Sequence, residues 1–572
     1  MEVAAPPNMD APLPITQQIW QAKYRRVGLD GDIDLTLTDT FRRVAKALAG
    51  AERSHRRRWE QCFFDVMDSL RFLPAGRVLA GAGAWGDATL FNCFVLPPPR
   101  DESLARTLEQ ALRTQALGGG VGFDASLMAP KGRLANGRPA QGPIAFLEAL
   151  EKQGSARLES GERRAAMMAA MSCSHPDIGA FIRAKVEPGA LRHFNLSVQV
   201  TEAFLAAEAN GRMWPLRFDG REWARVPARA LWDELLVTAF TTAEPGVLFV
   251  DCINAFNNLW YRERLTATNP CGEAPLPPFG ACVLGSLNLA QFVISPFAAE
   301  ARIDEAALAR TVPVAVRMLD DVLDVSGFPL AEQRVETLAT RRVGLGVMGI
   351  ADALMMLGLR YDSIQARNWL REVMRLIRDG AYQASIELAR ERGAFPGFRR
   401  DDYLAGGFVA TLDRRCRDAI ARHGIRNSHL LAIAPTGSIS LLAGGVSSGI
   451  EPPFAAEYER PAPEVRNGET IKVMNRAVKM WRDRFGAVTL PPAFIAAAEV
   501  RPSDQLAMQA VVQGYVDGAI SKTVQLAPDA DFESFRRVFA DAYSLGLKGC
   551  TVFRPGTPRG SLLAPVPPCS RR

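Results

Sequence analysis

A short proline-rich segment carries an amide, a thiol and a carboxylate at alternate positions. Asn269, Cys271 and Glu273 occupy positions i, i+2 and i+4 of the run NPCGEAPLPPFGAC (269–282). Its prolines exclude a regular helix and a central strand, so the run predicts a rigid, shaped loop. Such a loop can hold groups for hydrogen bonding, sulfur chemistry and proton transfer in one small volume. A surface turn with an incidental buried cysteine is the alternative interpretation.

The cysteines are spread along the chain, and none of them forms a CxxC pair. That spacing excludes the usual zinc and thioredoxin-like signatures. An odd number of cysteines, together with an N-terminus that lacks a signal-like apolar run, predicts a reducing cytoplasm. Cys93 considered alone is best interpreted as a buried strand thiol. Each cysteine must therefore be assigned from its own surroundings.

Two glycine-containing segments could approach a ligand. The run GGGVG (118–122) is not the dinucleotide-binding fingerprint, and plain turns often contain such clusters. A second run follows the strand-like residues 430–434 and offers backbone N–H groups and hydroxyls that suit phosphate. An ordinary strand-to-helix turn is the alternative for this second run, which consists of Pro435, Thr436, Gly437, Ser438 and Ile439.

The composition is that of an ordinary soluble enzyme. Hydrophobic residues make up 48% of the chain and charged residues 23%, with a formal net charge of +6. This small positive charge suits anionic substrates but does not predict nucleic-acid binding, since the only dense basic run, 53–58, is typical of a solvated helix face. The most apolar stretch, 343–359, is interrupted by Asp352 and four glycines, so no membrane span is expected.

The order of the patterns predicts an α/β architecture. We expect a disordered lead at 1–14, a helical region at 15–73, an α/β domain at 74–555 and a mobile tail at 556–572. In the helical region, Thr38 or Asp39 could cap the helix that contains the apolar face of Phe41, Val44, Ala45 and Leu48. Strands are predicted near 91–96, 194–200, 246–250 and 430–434, and an amphipathic helix at 362–392.

The segment 269–282 and its flanks closely resemble the finger loop of ribonucleotide reductases, and the NPCGE form is similar to the cobalamin-dependent class. The resemblance covers roughly residues 37 to 556 and implies a ten-stranded α/β barrel with the loop threaded through its centre. Further matching segments occur in the expected order: FNCFVLP (91–97), GGGVGFDASLMAPKG (118–132), HPDIGAFI (175–182), FNLSV (194–198), FVDCINAFNNLWYRERLTAT (249–268), VLGSLNLAQFV (283–293), RRVGLGVMGIADALMMLGLRYDS (341–363), RNSHLLAIAPTGSIS (426–440) and LKGCTVFRPG (547–556).

The resemblance implies a role for each member of a five-residue core. Cys271 matches the residue whose thiyl radical abstracts the 3′-hydrogen of the ribose. Glu273 matches the base that takes the 3′-OH proton, and Asn269 matches the amide that orients the ribose hydroxyls. Cys93 and Cys282 match the redox-active pair that supplies two electrons. Since 189 residues separate the pair, only the fold could bring the two sulfurs within bonding distance.

The same resemblance implies the binding residues. Val78, Asn92 and Gly120 match positions beside the substrate, and the 435–439 turn matches a phosphate site. Arg163 and Arg164 fall where the family has its substrate-selecting loop, although the residues around them are less typical of that loop. A deoxynucleotide effector is therefore expected, and which deoxynucleotide favours which substrate stays open. Cys569 is the one cysteine of the tail, where relatives have a pair that re-reduces the active-site disulfide.

Adenosylcobalamin is the radical source that the resemblance implies. Phe553 stands in the region where diiron-dependent relatives have paired tyrosines, and no glycyl-radical motif is recognisable near Gly556 or Gly560. A diiron-class large subunit and a catalytically inactive, nucleotide-binding paralogue remain as alternatives. The expected partners are a ribonucleotide, a thioredoxin-like reductant and a second copy of the chain in a homodimer. The short N-terminal region predicts no ATP-cone activity switch, and the choice between diphosphate and triphosphate substrates stays open.

Overall fold

The computed structural model describes the chain between residues 14 and 565, apart from short gaps. The predicted α/β class is confirmed, because a large sheet is surrounded by helices. The described ranges are 14–28, 31–84, 89–98, 104–135, 138–159, 166–461, 470–486, 488–556 and 564–565.

Three helices dominate the N-terminal region: α1 (Pro14–Lys23), α2 (Leu37–Leu48) and α3 (Arg56–Asp68). A two-stranded hairpin, β1 (Val27–Gly28) with β2 (Gly31–Asp32), lies between α1 and α2. The predicted apolar face of α2 is buried, and it joins one continuous core with the helices that follow the finger loop. The helical region therefore packs against the rest of the protein as part of one hydrophobic core.

The N-cap of α2 differs from the prediction. Thr36 caps the helix, and its hydroxyl accepts a hydrogen bond from the backbone N–H of Asp39. The Asp39 carboxylate accepts in return from the Thr36 backbone N–H at 2.8 Å. This reciprocal pairing is a capping box, which satisfies two backbone donors at once and so places the helix start at Leu37 rather than after Thr38 or Asp39.

A ten-stranded sheet forms the centre of the protein. Its strands are β3 (Phe72–Pro74), β4 (Cys93–Val95), β5 (Gly120–Asp124), β8 (Met167–Ser172), β9 (Phe194–Val200), β12 (Gly246–Phe249), β15 (Ala281–Asn288), β18 (Val343–Met348), β21 (Thr523–Gln525) and β22 (Gly549–Phe553). Their order in the sheet is β18-β15-β4-β5-β8-β9-β12-β22-β21, with β3 paired to β15. The five neighbouring strands from β4 to β12 run parallel, and the pairing is antiparallel where β4 meets β15 and where β12 meets β22.

The regular strands leave the sheet open between β18 and β21, and an extended segment, 430–433, lies in this gap. Isolated parallel bridges join it to both sides, from Leu345 to Leu431 and from Ile433 to Ile520. The strand predicted at 430–434 is therefore irregular. The reason is that a side chain, Asp517, accepts the backbone N–H groups of Leu430 and Leu431, which removes them from a regular ladder.

Small sheets and helices complete the architecture. Ala564–Pro565 of the tail pairs with Glu457–Pro461, strand β19. The other strands are β6 (Leu134–Ala135), β7 (Arg138–Pro139), β10 (Met213–Phe218), β11 (Arg221–Pro227), β13 (Ala267–Thr268), β14 (Pro275–Leu276), β16 (Val293–Ile294), β17 (Arg302–Ile303), β19 (Glu457–Pro461), β20 (Thr470–Met474) and β23 (Ala564–Pro565).

The predicted long helix is present as α14 (Ile364–Arg392), and Ser363 caps it. None of the described helices is long and apolar enough to cross a membrane. The remaining helices are α4 (Gly76–Gly81), α5 (Leu104–Ala116), α6 (Pro143–Glu159), α7 (Ile178–Arg183), α8 (Glu202–Ala209), α9 (Ala228–Thr242), α10 (Val250–Ala255), α11 (Glu305–Val325), α12 (Ala331–Thr340), α13 (Ile350–Met356), α14 (Ile364–Arg392), α15 (Arg400–Leu404), α16 (Arg414–His423), α17 (Ile439–Leu442), α18 (Arg476–Phe485), α19 (Pro502–Gln513) and α20 (Phe532–Ser544).

Candidate active site

The proline-rich loop is the tip of a short hairpin formed by β13 and β14. Asn269 lies at the start of the tip, and its backbone N–H donates to the carbonyl of Ala274 at 3.2 Å. Gly272 adopts a left-handed φ of 84°, a conformation that glycine reaches without a Cβ clash. The prolines and this glycine together give a loop of one defined shape, as the sequence predicts.

Two glycines of β5 let this hairpin lie directly on the large sheet. A Cβ added at Gly122 would fall 1.9 Å from the carbonyl oxygen of Thr268. One added at Gly120 would fall 3.1 Å from the Pro270 ring and 3.2 Å from the Asn92 carbonyl oxygen. Gly120 and Gly122 of the GGGVG run therefore contact the finger loop, and this close approach is the physical reason for these two glycines.

Cys271 is the exposed residue of an otherwise buried hairpin. Residues 267–270 and 273–277 are buried, while the Cys271 side chain is accessible. Desolvation by the surrounding protein, and next the charge of Glu273, nevertheless raise the pKa of its thiol. The thiol is therefore protonated at neutral pH and has an S–H hydrogen to exchange.

Cys93 and Cys282 lie on adjacent strands, β4 and β15, and are Cα partners across this antiparallel pair. Both are buried free thiols in a small apolar cluster that also includes Ala274 of the finger hairpin. Burial is the largest cause that raises the pKa of each thiol. The fold thus brings together two cysteines that are distant in sequence, in a position where they could be oxidised to a disulfide.

The Asn269 side chain connects the hairpin to this cysteine pair. Its Nδ2 donates to the Cys93 sulfur at 3.1 Å, and its Oδ1 accepts from the Ala274 backbone N–H at 3.0 Å. These two bonds define which end of the amide faces the sulfur. Asn269 is thereby held in one orientation beside the thiols.

Glu273 places a buried carboxyl group at the same point. Its Oε1 lies 3.8 Å from the Cys93 sulfur, within thiol hydrogen-bonding distance, and its Oε2 has no hydrogen-bond partner among the described residues. Burial raises the pKa of Glu273 to about 7. A carboxyl with a free oxygen and a pKa near neutrality can accept or return a proton.

The three single substrate-binding residues are in different environments. The Asn92 carbonyl accepts from the Gly120 N–H at 2.8 Å, and the buried Asn92 Oδ1 has no partner in the described part of the chain. Gly120 is half-buried beneath Pro270. Asn92 and Gly120 therefore adjoin the finger loop. Val78 lies on α4 and is fully buried in the main hydrophobic core, whereas the two cysteines belong to a separate small apolar cluster.

The 435–439 turn follows the extended segment 430–433 and leads into the one-turn helix α17. Thr436 has a left-handed φ of 54°, which is strained for a β-branched residue. Its hydroxyl accepts the Gly449 N–H at 2.9 Å and so stabilises the turn. Gly437 is exposed, and Lys23 of α1 donates to the Ser438 hydroxyl at 3.0 Å. Pro435 is half-buried and Ile439 is buried.

Comparison with known families shows to which family the chain belongs. Residues 91–553 match the family model "Ribonucleotide reductase, barrel domain", and residues 14–85 match "Ribonucleotide reductase, all-alpha domain". The chain belongs to the ribonucleotide reductase family. The resemblance inferred from the motifs is thereby confirmed.

Several relatives of the chain are named for their dependence on vitamin B12. A vitamin B12-dependent ribonucleoside-diphosphate reductase of Mycobacterium tuberculosis is 39% identical over 92% of this chain and 77% of its own length. One of Thermoplasma acidophilum is 34% identical over 86% of this chain and 64% of its own. A ribonucleoside-diphosphate reductase subunit alpha of Synechocystis is 27% identical over 77% of this chain and 66% of its own. The chain is thus more similar to these two B12-dependent reductases than to that subunit alpha.

Three predicted residues of the reductase lie outside the described residues. These are Arg163 and Arg164 of the effector loop and Cys569 of the tail. Their roles stay predictions.

The structure also brings to the site one residue that sequence reasoning missed. Asp517 accepts hydrogen bonds from Leu430 N, Leu431 N and the Tyr382 hydroxyl at 2.8 to 2.9 Å. Two residues later, the Ala519 N–H donates to the Glu273 carbonyl at 2.9 Å. Asp517 thus links the finger loop to the segment that leads into the 435–439 turn. Its only local signal is an Asp-Gly pair, which indicates a turn and nothing more.

Proposed function

We propose that this chain reduces ribonucleotides to 2′-deoxyribonucleotides by a thiyl-radical mechanism that adenosylcobalamin initiates. The observation that carries the proposal is the single cluster formed by the five core residues. Asn269, Cys271 and Glu273 share one rigid loop, and that loop contacts Cys93, the Cα partner of Cys282. Family membership and the names of the B12-dependent relatives support the same reading.

Each residue then has a defined chemical step. The Cys271 thiyl radical takes the 3′-hydrogen of the ribose, while Glu273 accepts the 3′-OH proton and Asn269 orients the hydroxyls. The C2′–O bond breaks, and the 2′-OH leaves as water with a proton from one thiol of the Cys93 and Cys282 pair. The other thiol supplies the hydrogen of the new C2′–H bond, and the pair gives up two electrons in all and becomes a disulfide. Glu273 returns its proton to the 3′-oxygen, and Cys271 returns its hydrogen to C3′. Glu273 suits this task because its pKa of about 7 lets it gain and lose a proton near neutral pH.

The exposed Cys271 fits an external radical source. Adenosylcobalamin, when bound, supplies a carbon-centred radical that can take the hydrogen of a thiol. The Cys271 sulfur is accessible at the tip of the hairpin, and its raised pKa keeps the S–H hydrogen in place until that transfer. Phe553 on β22 has no phenolic proton to relay, in keeping with a local radical source rather than a distant subunit.

Nucleotide binding would use both sides of the finger loop. Asn92 and Gly120 adjoin its Pro270 side, and the 435–439 turn would take the phosphates with backbone N–H groups and hydroxyls. Val78 remains a proposed neighbour of the substrate. The two B12-dependent relatives are ribonucleoside-diphosphate reductases, which favours a diphosphate substrate.

The partners complete the proposal. A thioredoxin-like dithiol would re-reduce the Cys93–Cys282 disulfide, with Cys569 as an intermediate or without it. A deoxynucleotide effector would act through Arg163 and Arg164, and two copies of the chain would form a homodimer in the cytoplasm.

The test is anaerobic reduction of radiolabelled CDP and CTP with dithiothreitol, with and without adenosylcobalamin. We expect cobalamin-dependent deoxycytidine nucleotide from the wild type and none from Cys271→Ala. Cys416→Ala is the matched control, because Cys416 lies on α16, outside the cluster, and should keep full activity. Product without cobalamin but with an added metal-radical subunit would indicate the diiron class. Nucleotide binding without product under any condition would indicate an inactive paralogue.

A further inference from the structure

Helix α1 brings a cation to the 435–439 turn. Lys23 is the last residue of α1, and its Nζ donates to the Ser438 hydroxyl at 3.0 Å across 415 residues of sequence. The ammonium group therefore lies beside the turn that is proposed to bind the phosphates of the nucleotide.

The turn has no positive charge of its own. Every residue from Ala434 to Ile450 is uncharged, and the next residue, Glu451, is an acid that pairs with Lys522. A nucleotide diphosphate loses hydration when it binds, and neutral donors alone compensate poorly for a buried anion. Charge-assisted hydrogen bonds from an ammonium group are about twice as strong as those from neutral donors. A cation from another part of the chain would therefore strengthen binding at this turn.

Helix α1 is packed tightly enough to position that cation. Trp20 and Tyr24, the buried residues on either side of Lys23, are 1% and 2% exposed. The Trp20 indole donates to the Thr40 hydroxyl of α2 at 2.8 Å, and the Tyr24 ring lies against Gly76 of α4. The backbone of Lys23 is thus held by its neighbours, while its half-buried side chain extends towards the turn.

We infer that Lys23 binds the phosphates of the nucleotide, so that the N-terminal helical region is part of the substrate site. This inference rests on the proposed function, since it assigns a further residue to the same site. The contact with Lys23 would make a nucleotide bind more tightly than the corresponding nucleoside, which has no phosphate. Helix α1 would then contribute to substrate binding as well as to packing.

The experiment measures binding of CDP and of cytidine by equilibrium dialysis, without cobalamin. Lys23→Met removes the charge and keeps an unbranched side chain, Lys23→Arg retains the charge, and Lys46→Met removes an exposed lysine of the neighbouring helix α2. We expect Lys23→Met to weaken CDP binding by about tenfold or more while cytidine binding is unchanged. Lys23→Arg should recover most of the affinity, and Lys46→Met should match the wild type.

Two outcomes would overturn the inference alone. One is wild-type CDP affinity in Lys23→Met. The other is an equal loss of CDP and cytidine affinity, which would mean that Lys23 only anchors α1 to the turn. Failure of the wild type to bind CDP at all would instead overturn the proposed function, and this inference with it.

Discussion

Cys93 and Cys282 stand directly opposite each other on the antiparallel strands β4 and β15. Opposite residues of an antiparallel pair have Cα atoms about 4.5 to 5.5 Å apart, which lies within the range of disulfides. Strand pairing, rather than a flexible loop, therefore sets the distance between the two sulfurs. The pair can be oxidised without a large movement of the backbone.

One turnover without reductant should convert this pair to a disulfide. Peptide mapping under non-reducing conditions should find Cys93 linked to Cys282 in one equivalent per deoxynucleotide formed. Cys282→Ser should abolish even the first turnover, because Cys93 alone cannot supply both electrons and form the disulfide, whereas Cys416→Ser should behave as the wild type. Product formed while both thiols stay reduced would contradict the assignment.

The reaction rate should depend on pH through Glu273. Burial raises the pKa of this carboxyl to about 7, and only the deprotonated form can accept the 3′-OH proton. The rate should therefore fall as the pH drops below about 7 and level off above it. Glu273→Gln should lower kcat by about 100-fold or more, whereas Glu372→Gln on the exposed face of α14 should not. A flat profile of kcat from pH 6 to 8 in the wild type would exclude Glu273 as the base.

Ionisation of the buried Glu273 carboxyl should lower the stability of the folded protein as the pH rises to neutrality and above. Because its pKa is raised in the folded state, the folded protein binds the proton more tightly than the unfolded chain does. Stability is therefore lost as the pH rises from about 4.5 through about 7, up to about 3 kcal/mol in all. Glu273→Gln should melt at a higher temperature than the wild type at pH 8 and at a similar temperature at pH 5. Equal melting temperatures at pH 8 would argue against a buried, ionised carboxylate.

Gly122→Ala should displace the finger hairpin. The new methyl group would overlap the Thr268 carbonyl oxygen, a backbone atom that cannot rotate away. We expect loss of most activity, measured as deoxynucleotide product, together with a lower melting temperature. Gly154→Ala is the control: its Cβ would meet only an ordinary contact at 3.8 Å, and alanine favours the helix in which Gly154 lies. An active Gly122→Ala variant would mean that the hairpin can shift without harm to the site.

Asp517→Asn should impair catalysis by shifting the segments that Asp517 holds in place, not by removing a contact with the substrate. The carboxylate accepts hydrogen bonds on both oxygens, and an amide NH2 would face the donors at Leu430 or Leu431. We expect the segment 430–433 to shift and both kcat and KM to worsen, because Glu273 and the 435–439 turn are linked through it. Asp529→Asn, on an exposed loop, should leave both constants unchanged. Wild-type kinetics for Asp517→Asn would show that the link is not needed.

Much of the chemistry could be predicted from local sequence. The prolines around Cys271 restrict the backbone whatever the rest of the chain does, so a rigid loop with its amide, thiol and carboxylate follows from the residues themselves. The alternation of strands and helices likewise indicated the α/β class. The N-cap of α2 was predicted two or three residues late, since Thr36, Thr38 and Asp39 are all good capping residues and only the observed hydrogen bonds distinguish them.

Relations between distant segments were decided by the tertiary structure alone. The sequence by itself determined which residues are candidates for the proposed chemistry: Cys271 and its loop neighbours, and the uncharged turn at 435–439. Only the packed sheet decided that Cys93 meets Cys282, that Gly122 supports Thr268, and that Asp517 and Lys23 adjoin the site. The physical reason is that these contacts join residues far apart in the chain, and burial and strand register place them, whereas local propensity carries no information about such pairs.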